Sequence, residues 1–194
     1  MRFVLILVVL ASAVYAFAPV SRVSARSSSV LSMGFAGGLP GGAGPELKNF
    51  DPLKFSEKAP EWVPWFREAE LKHGRVCMLA VLGFVGQEFF QLPGDIHKVS
   101  SVEAHNVFVN SGAMLQILGW VSLLELITVP ALYDLRDGKR APGDYYFDPL
   151  NLGKGSNLEK YQVAELKNGR LAMMAFSGIV TQAALSGHGF PYQY

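Results

Sequence analysis

The residues of this chain best suited to chemistry occur in two copies. Glu70-Leu71-Lys72-His73-Gly74-Arg75 returns as Glu165-Leu166-Lys167-Asn168-Gly169-Arg170. Aligned from the glutamates, the copies hold register for eighteen positions with ten identities, among them Met78/Met173, Ala80/Ala175, Gly83/Gly178, Val85/Val180 and Gln87/Gln182. Each copy supplies a carboxylate, an imidazole or amide, and an arginine. Imidazole nitrogen, amide oxygen and carboxylate oxygen can each give one lone pair to a hard metal centre. A metal chelated by protein alone needs several such groups converging at about 2 Å. Here they are spread singly along two segments. That distribution suits a metal whose other positions are already filled by a macrocycle.

The elements that must position these groups read as helices. Each copy places its charges in a stretch that otherwise looks membrane-spanning, where an isolated charge costs about 3 kcal/mol or more and is a functional suspect by default. Two copies suggest how that cost is met. At about 100° per residue, Glu70 and His73 are neighbours on one surface, and Arg75 lies about 140° round from Glu70. Gly74 falls between and leaves the backbone bare, and small residues let membrane helices approach closely. If the two helices cross near Gly74 and Gly169, Glu70 reaches Arg170 and Glu165 reaches Arg75. A single glutamate–arginine pair between helices is often only a packing device. Duplication of the whole set argues for more.

The pattern predicts an all-α membrane protein with three transmembrane helices, at about 65–90, 107–132 and 158–185, the second with Pro130 near its end. Each supplies the roughly twenty mainly apolar residues that a bilayer core needs. The first and third carry polar residues early and would score weakly by hydropathy. Pro93-Gly94 and the stretch from Gly187 to Pro191 mark breaks. The repeat is larger than a helix. Phe50-Asp51-Pro52-Leu53 is echoed by Phe147-Asp148-Pro149-Leu150 before the second copy, and Asp-Pro favours a turn. The first and third helices are therefore expected to be crossed and related by an internal pseudo-two-fold repeat.

Composition agrees. Half of the 194 residues are hydrophobic and 17% are charged, against about 25% in soluble domains. The net charge of +1 gives no reason to expect a nucleic-acid partner. Cys77 is the only cysteine, which excludes an internal disulfide and a Cys-based metal site. Residues 1–16, with Arg2, an apolar run from Phe3 and small residues to Ala16, read as a signal peptide. Residues 17–33 begin Phe17-Ala18-Pro19, are rich in serine and carry Arg22 and Arg26 without an acid, which is transit-peptide composition. Such a two-part leader resembles the address of plastids acquired by secondary endosymbiosis; an ordinary secreted protein with a Ser-rich start is the other reading. The domain proper is expected at 34–194. Basic residues cluster before the first span (Lys48, Lys54, Lys58) and after the second (Arg136, Lys139, Arg140, Lys154, Lys160), with only Lys98 between the first two. The positive-inside rule then puts the N-terminus and the second loop on the cytoplasm-equivalent side, which in a thylakoid is the stroma, and the C-terminus on the other side, there the lumen.

Magnesium in chlorophyll is a metal that needs one axial ligand, whereas haem iron more often brings paired His or Met ligands, and only His73 lies in a helix interior. The chain resembles the chlorophyll-binding light-harvesting antenna family, on two Glu-x-x-[His/Asn]-Gly-Arg helices, each preceded by Phe-Asp-Pro-Leu, with a different helix between. The resemblance runs from about Asp51 to Gly187. It implies chlorophyll magnesium held by Glu70, His73, Glu165, Asn168 and Gln182, with Arg75 and Arg170 as structural ion-pair partners. It also implies carotenoid end groups near Asp51-Pro52 and Asp148-Pro149-Leu150. On the middle helix Glu125 and Gln116 are further ligand candidates. Their spacing of nine, not the eight of land-plant members, is close to that of the fucoxanthin and red-lineage antennas. Gln87 matches Gln182 by repeat but is expected to cap or hydrogen-bond near the lumenal end. Chlorophyll a, chlorophyll c and fucoxanthin or a related xanthophyll follow from that lineage alone.

The function implied is physical and not enzymatic: to hold pigments so that excitation passes to a photosystem core, I or II, in company with other antenna subunits and thylakoid lipids. Two rivals stand beside it. One is a stress-type, energy-dissipating member of the same family, which lumenal carboxylates would favour; the lumenal loop offers Asp95 and Glu103. The other is a transporter using the buried charges as a proton path. Nothing in the chain suggests a nucleophile or a phosphate loop. The stretch Gly37 to Gly44 has no preceding strand and is not a nucleotide fingerprint.

Overall fold

The computed structural model describes residues 35–41, 49–91, 93–149 and 158–191. The expected signal peptide (1–16), transit segment (17–33) and Leu150 lie outside them. The described residues are helical, without strands. Among the described residues there are five α-helices: α1 (Phe55–Lys58), α2 (Val63–Phe89), α3 (Ser101–Asn110), α4 (Ala113–Arg136) and α5 (Leu158–Ser186). The chain divides into two compact units, one of residues 30–104 with 141–194, the other containing 105–140.

In the first unit, α2 and α5 cross. Pro64 sits in the first turn of α2, where its missing N–H has no helical partner to lose. Helix formers from Arg67 to Lys72 follow. The helix ends at Phe90, whose backbone is extended, shortly before Pro93-Gly94. α5 ends at Gly187, in the left-handed region at φ 71, with its N–H bonded to the Ala183 carbonyl. The crossing is set by two glycines. A Cβ placed on Gly74 would lie 2.9 Å from the Gly169 Cα, and one on Gly169 would lie 3.1 Å from the Gly74 Cα. Neither position has room for any other residue without the helices moving apart.

The segment from Ser101 to Arg136 differs from expectation. In place of one helix over 107–132 there are two. α3 begins at Ser101, and its first N–H donates to the Glu88 carboxylate of α2 at 2.7 Å, a charged acceptor at a helix N-terminus. The break falls at Gly112, left-handed at φ 81. Asn110-Ser111-Gly112 was the turn signal available in the sequence, between the apolar residues that end at Val109 and resume at Ala113. α4 then continues past Pro130 to Arg136. Proline removes one ladder N–H and ordinarily kinks or ends a helix; here six further residues remain helical. Among the described residues α4 is the one helix long and apolar enough, by length and composition, to cross a membrane.

Little is buried among the described residues: the buried hydrophobic ones are Leu135, Leu166, Ala172 and Ala183. Large apolar side chains point outward instead, at matching places in the repeat: Val76 and Leu171, Leu79 (72% exposed) and Met174 (76% exposed). α4 exposes Leu115, Trp120, Leu124 and Ile127 around its circumference. A helix apolar all round belongs against other apolar material, and apolar surface of this extent marks contact with a membrane, a ligand or another protein.

Candidate functional site

At the crossing, the charges of one copy meet those of the other. Arg170 Nε donates to Glu70 Oε1 at 2.7 Å, and Arg75 Nε donates to Glu165 Oε1 at 2.6 Å. The second nitrogens continue the correspondence. Arg75 Nη2 donates to the Gly143 carbonyl at 2.9 Å, and Arg170 Nη1 to the Gly41 carbonyl at 3.3 Å. Both loop glycines have positive φ, 109° at Gly41 and 81° at Gly143. A Cβ on Gly41 would strike Leu166 of α5, and one on Gly143 would strike Leu71 of α2. Leu71 and Leu166 are themselves repeat partners. Each copy's loop thus locks onto the opposite copy's helix.

The neutral donors are arranged alike. His73 is exposed, and its Nδ1 lies 2.7 Å from the Ala69 carbonyl. A carbonyl only accepts, so Nδ1 carries the proton and the Nε2 lone pair is left facing outward. Asn168 does the equivalent: its Nδ2 donates to the Ala164 carbonyl at 2.9 Å, four residues back, which turns Oδ1 away from the helix. Ala69 and Ala164 are also repeat partners. In metal sites such a backbone bond commonly fixes the tautomer and ring orientation of a ligand. Among the described residues no cluster of three His, Cys, Asp or Glu side chains could hold an ion by itself. The donors stand one to a place, as the sequence has them.

The glutamates differ in surroundings. Glu70 Oε2 is also 3.4 Å from Arg67 Nε, so Glu70 has an arginine on each oxygen, whereas the ion pair found for Glu165 is with Arg75. A carboxylate oxygen has two lone pairs, and one arginine N–H does not use both. Gln182 is exposed on α5. Gln116 and Glu125 are both exposed on α4 and lie nine positions apart, half a turn round at about 100° per residue. They face opposite sides and serve separate sites if they serve any. His105 Nδ1 lies 3.2 Å from Asn106 Oδ1. Asp148 and Pro149 are exposed.

Asp51 is more occupied than expected. Its carboxylate accepts from the Phe55 N–H (3.1 Å), the Ser56 N–H (2.8 Å) and the Ser56 hydroxyl (2.6 Å). These bonds start α1, and they hold the carboxyl below its ordinary value, the Ser56 hydroxyl being the largest cause and the Ser56 N–H the next. Pro52 and Leu53 remain exposed beside it.

Sequence reasoning missed Glu68. It is buried at 4% exposure, and its carboxylate accepts from the Gly143 N–H and the Tyr145 hydroxyl, each at 2.6 Å. The Arg75 guanidinium lies 5.8 Å from the centre of the Tyr145 ring. Glu68 therefore fastens the loop that also receives Arg75. Its repeat counterpart is Val163 and that of Arg67 is Gln162, so the duplication that drew attention to Glu70 passed over both. Counted together, Arg67, Arg75 and Arg170 balance Glu68, Glu70 and Glu165.

A sequence profile of the chlorophyll A-B binding protein family matches residues 35–184, which takes in the crossing, both loops and α4. The chain belongs to this family. A chloroplastic fucoxanthin-chlorophyll a-c binding protein of Chattonella marina var. antiqua is 39% identical over 173 residues, covering 85% of this chain and 78% of that protein. The chloroplastic fucoxanthin-chlorophyll a-c binding protein F of Phaeodactylum tricornutum is 35% identical over 198 residues, covering 95% and 96%. A more distant member is photosystem I chlorophyll a/b-binding protein 6 of Arabidopsis thaliana, 33% identical over 168 residues, covering 76% of this chain and 60% of its own length.

Proposed function

We propose that this protein is a light-harvesting antenna that binds chlorophylls and carotenoids non-covalently and passes excitation to a photosystem. The observation that carries the reading is the pair of outward lone pairs, on His73 Nε2 and Asn168 Oδ1, each fixed by a bond to the carbonyl four residues back. They flank a crossing whose charges are already neutralised. Such donors fit a magnesium whose four equatorial positions belong to a macrocycle, and the exposed apolar faces of α2, α4 and α5 fit its ring and tail.

Glu70, His73, Glu165, Asn168 and Gln182 are the proposed magnesium ligands on the crossed helices, with Glu125 and Gln116 on α4. Bound chlorophyll supplies light absorption and a path for excitation; the chain supplies position. Glu70 and Glu165 act twice, as ion-pair partner and as ligand. Arg75 and Arg170 fix their rotamers. Pro52, Asp148, Pro149 and Leu150 are the proposed contacts of carotenoid end groups. The Asp51 carboxylate is bonded to α1, so its part there is to shape the loop. The family relatives named for fucoxanthin and chlorophyll a-c favour chlorophyll a, chlorophyll c and a fucoxanthin-type xanthophyll here.

In this reading α2, α4 and α5 are three transmembrane helices, and α2 and α5 are related by a pseudo-two-fold axis through Gly74 and Gly169. Residues 1–16 and 17–33 are a signal and a transit segment removed on the way to the thylakoid. The N-terminus is stromal and the C-terminus lumenal, with a photosystem core, other antenna subunits and lipid as neighbours. Extraction of the native complex followed by pigment chromatography tests the central point. Several chlorophylls and carotenoids per chain are expected; a colourless purified protein would overturn it.

A further inference from the structure

The reciprocal pairs of the crossing match, but one charge beside them does not. Glu70 has Arg170 on Oε1 at 2.7 Å and Arg67 beside Oε2 at 3.4 Å. The Gly41 loop covers both arginines: its carbonyl accepts from Arg170, and a Cβ on Gly41 would lie 3.1 Å from Arg67 Nη1. Two arginines thus serve one carboxylate, which leaves a surplus of one positive charge. Glu165 is paired with Arg75 at 2.6 Å, one cation for one anion. The repeat counterpart of Arg67 is the neutral Gln162, three residues before Glu165 as Arg67 is three before Glu70.

The surplus cation is also the one best shielded from water. The Arg67 side chain is 12% exposed, against 36% for Arg75 and 46% for Arg170. A charge that water does not screen acts more strongly and over a longer range. Glu70 is already neutralised by Arg170, so Arg67 is additional to the reciprocal pairing that closes the crossing.

We infer that Arg67 is a tuning residue, whose cation sets the absorption energy of the chlorophyll held by Glu70 apart from that of the chlorophyll held by Glu165. The inference rests on the pigment-binding reading above. Excitation redistributes electron density in a tetrapyrrole ring, so a fixed charge beside the ring shifts the excited state relative to the ground state. Arg67 stands against the proposed ligand itself and draws density from Oε2, the oxygen that Arg170 leaves. Groups behind a ligand tune its metal in this way. Two sites built alike would hold pigments of like energy, and excitation would pass between them without preference. One unscreened cation at one of them removes that equality and gives excitation a preferred side of the crossing.

The test refolds the full mature chain with a total pigment extract, counts chlorophylls per chain and records low-temperature absorption difference spectra against the wild type. Arg67→Gln makes the position identical to its repeat counterpart. It should shift one chlorophyll band while the count stays, because Glu70 keeps Arg170. Arg67→Lys retains the charge and should return that band toward its wild-type position. Gln162→Arg adds the same charge at the corresponding place beside Glu165 and should shift a band in the opposite sense. An unshifted spectrum in Arg67→Gln would overturn the proposal. So would equal shifts in Arg67→Gln and Arg67→Lys, since packing and not charge would then be responsible, and so would loss of a chlorophyll from Arg67→Gln, which would make Arg67 a binding residue. If Arg67→Gln does not refold, Gln162→Arg decides alone, and an unshifted spectrum there overturns the proposal. If the wild-type chain takes up no chlorophyll, the antenna reading itself falls; if it is pigmented and the bands do not move, the Arg67 inference alone falls.

Discussion

At the scale of the residue, the repeat makes partners of groups that are not energetically equal. Glu70 has Arg170 on one oxygen and Arg67 on the other, whereas the ion pair found for Glu165 is with Arg75. Arg75→Leu therefore strands a carboxylate, a loss of about 3 kcal/mol if the crossing lies in lipid. Arg170→Leu leaves Glu70 with Arg67 and should cost clearly less. Thermal unfolding of the two refolded complexes, followed by the loss of pigment circular dichroism, gives the order; equal destabilisation would mean that Arg67 does not compensate. Asn168→Leu removes an outward oxygen and no inter-helix contact. It should lower the count by about one chlorophyll and leave the fold, read by pigment extraction and far-ultraviolet dichroism. These residues were legible because they recur. Glu68 and Arg67 do not recur, and only their burial and partners reveal them.

At the scale of the element, the helices are held by contacts too tight for substitution. A methyl group at Gly74 would meet Gly169 backbone at 2.9 Å, and a backbone neighbour cannot swing aside. Gly74→Ala should cost about 1–3 kcal/mol, the usual penalty of overpacking, whereas Gly83→Ala, open in the structure, should leave the pigment-free chain as helical as before. Comparative melting of the two variants checks the first, and dichroism of the unpigmented chains in detergent the second. The small helix α1 depends on Asp51. A carboxyl held below its ordinary value stabilises the fold at all pH above that ordinary value, and the contribution disappears as pH falls through the lowered one. The clamp should thus persist through neutral and mildly acidic conditions. Ser56→Ala removes the hydroxyl that is the main cause and should raise the Asp51 pKa toward the ordinary range, measured by carboxyl carbon NMR titration. An unchanged titration would mean that the backbone N–H groups suffice.

At the scale of the whole molecule, the sparse core is the feature that matters. Leu166, Ala172 and Ala183 are buried, while Val76, Leu79, Leu171 and Met174 face outward. A chain with this distribution needs material other than itself to complete its packing, which is what an antenna made of lipid and pigment provides. If the proposed topology holds, protease added to the outside of intact thylakoids should cut near Lys48–Lys58 and in the 137–157 connection and spare the Asp95–His97 region. Cleavage there without membrane rupture would reverse the orientation. Much of this was legible beforehand. The spacing of Glu70, His73, Gly74 and Arg75, repeated ninety-five residues on, determined helices, a close crossing and a choice of partners, because helical periodicity and the cost of unpaired charge act on the local chain. The start of α3 on the Glu88 carboxylate and the seating of Glu68 under the Gly143–Tyr145 loop depend on which surfaces come together. Only the tertiary structure decided them, since a hydrogen bond between residues far apart in sequence leaves no periodic trace in either segment.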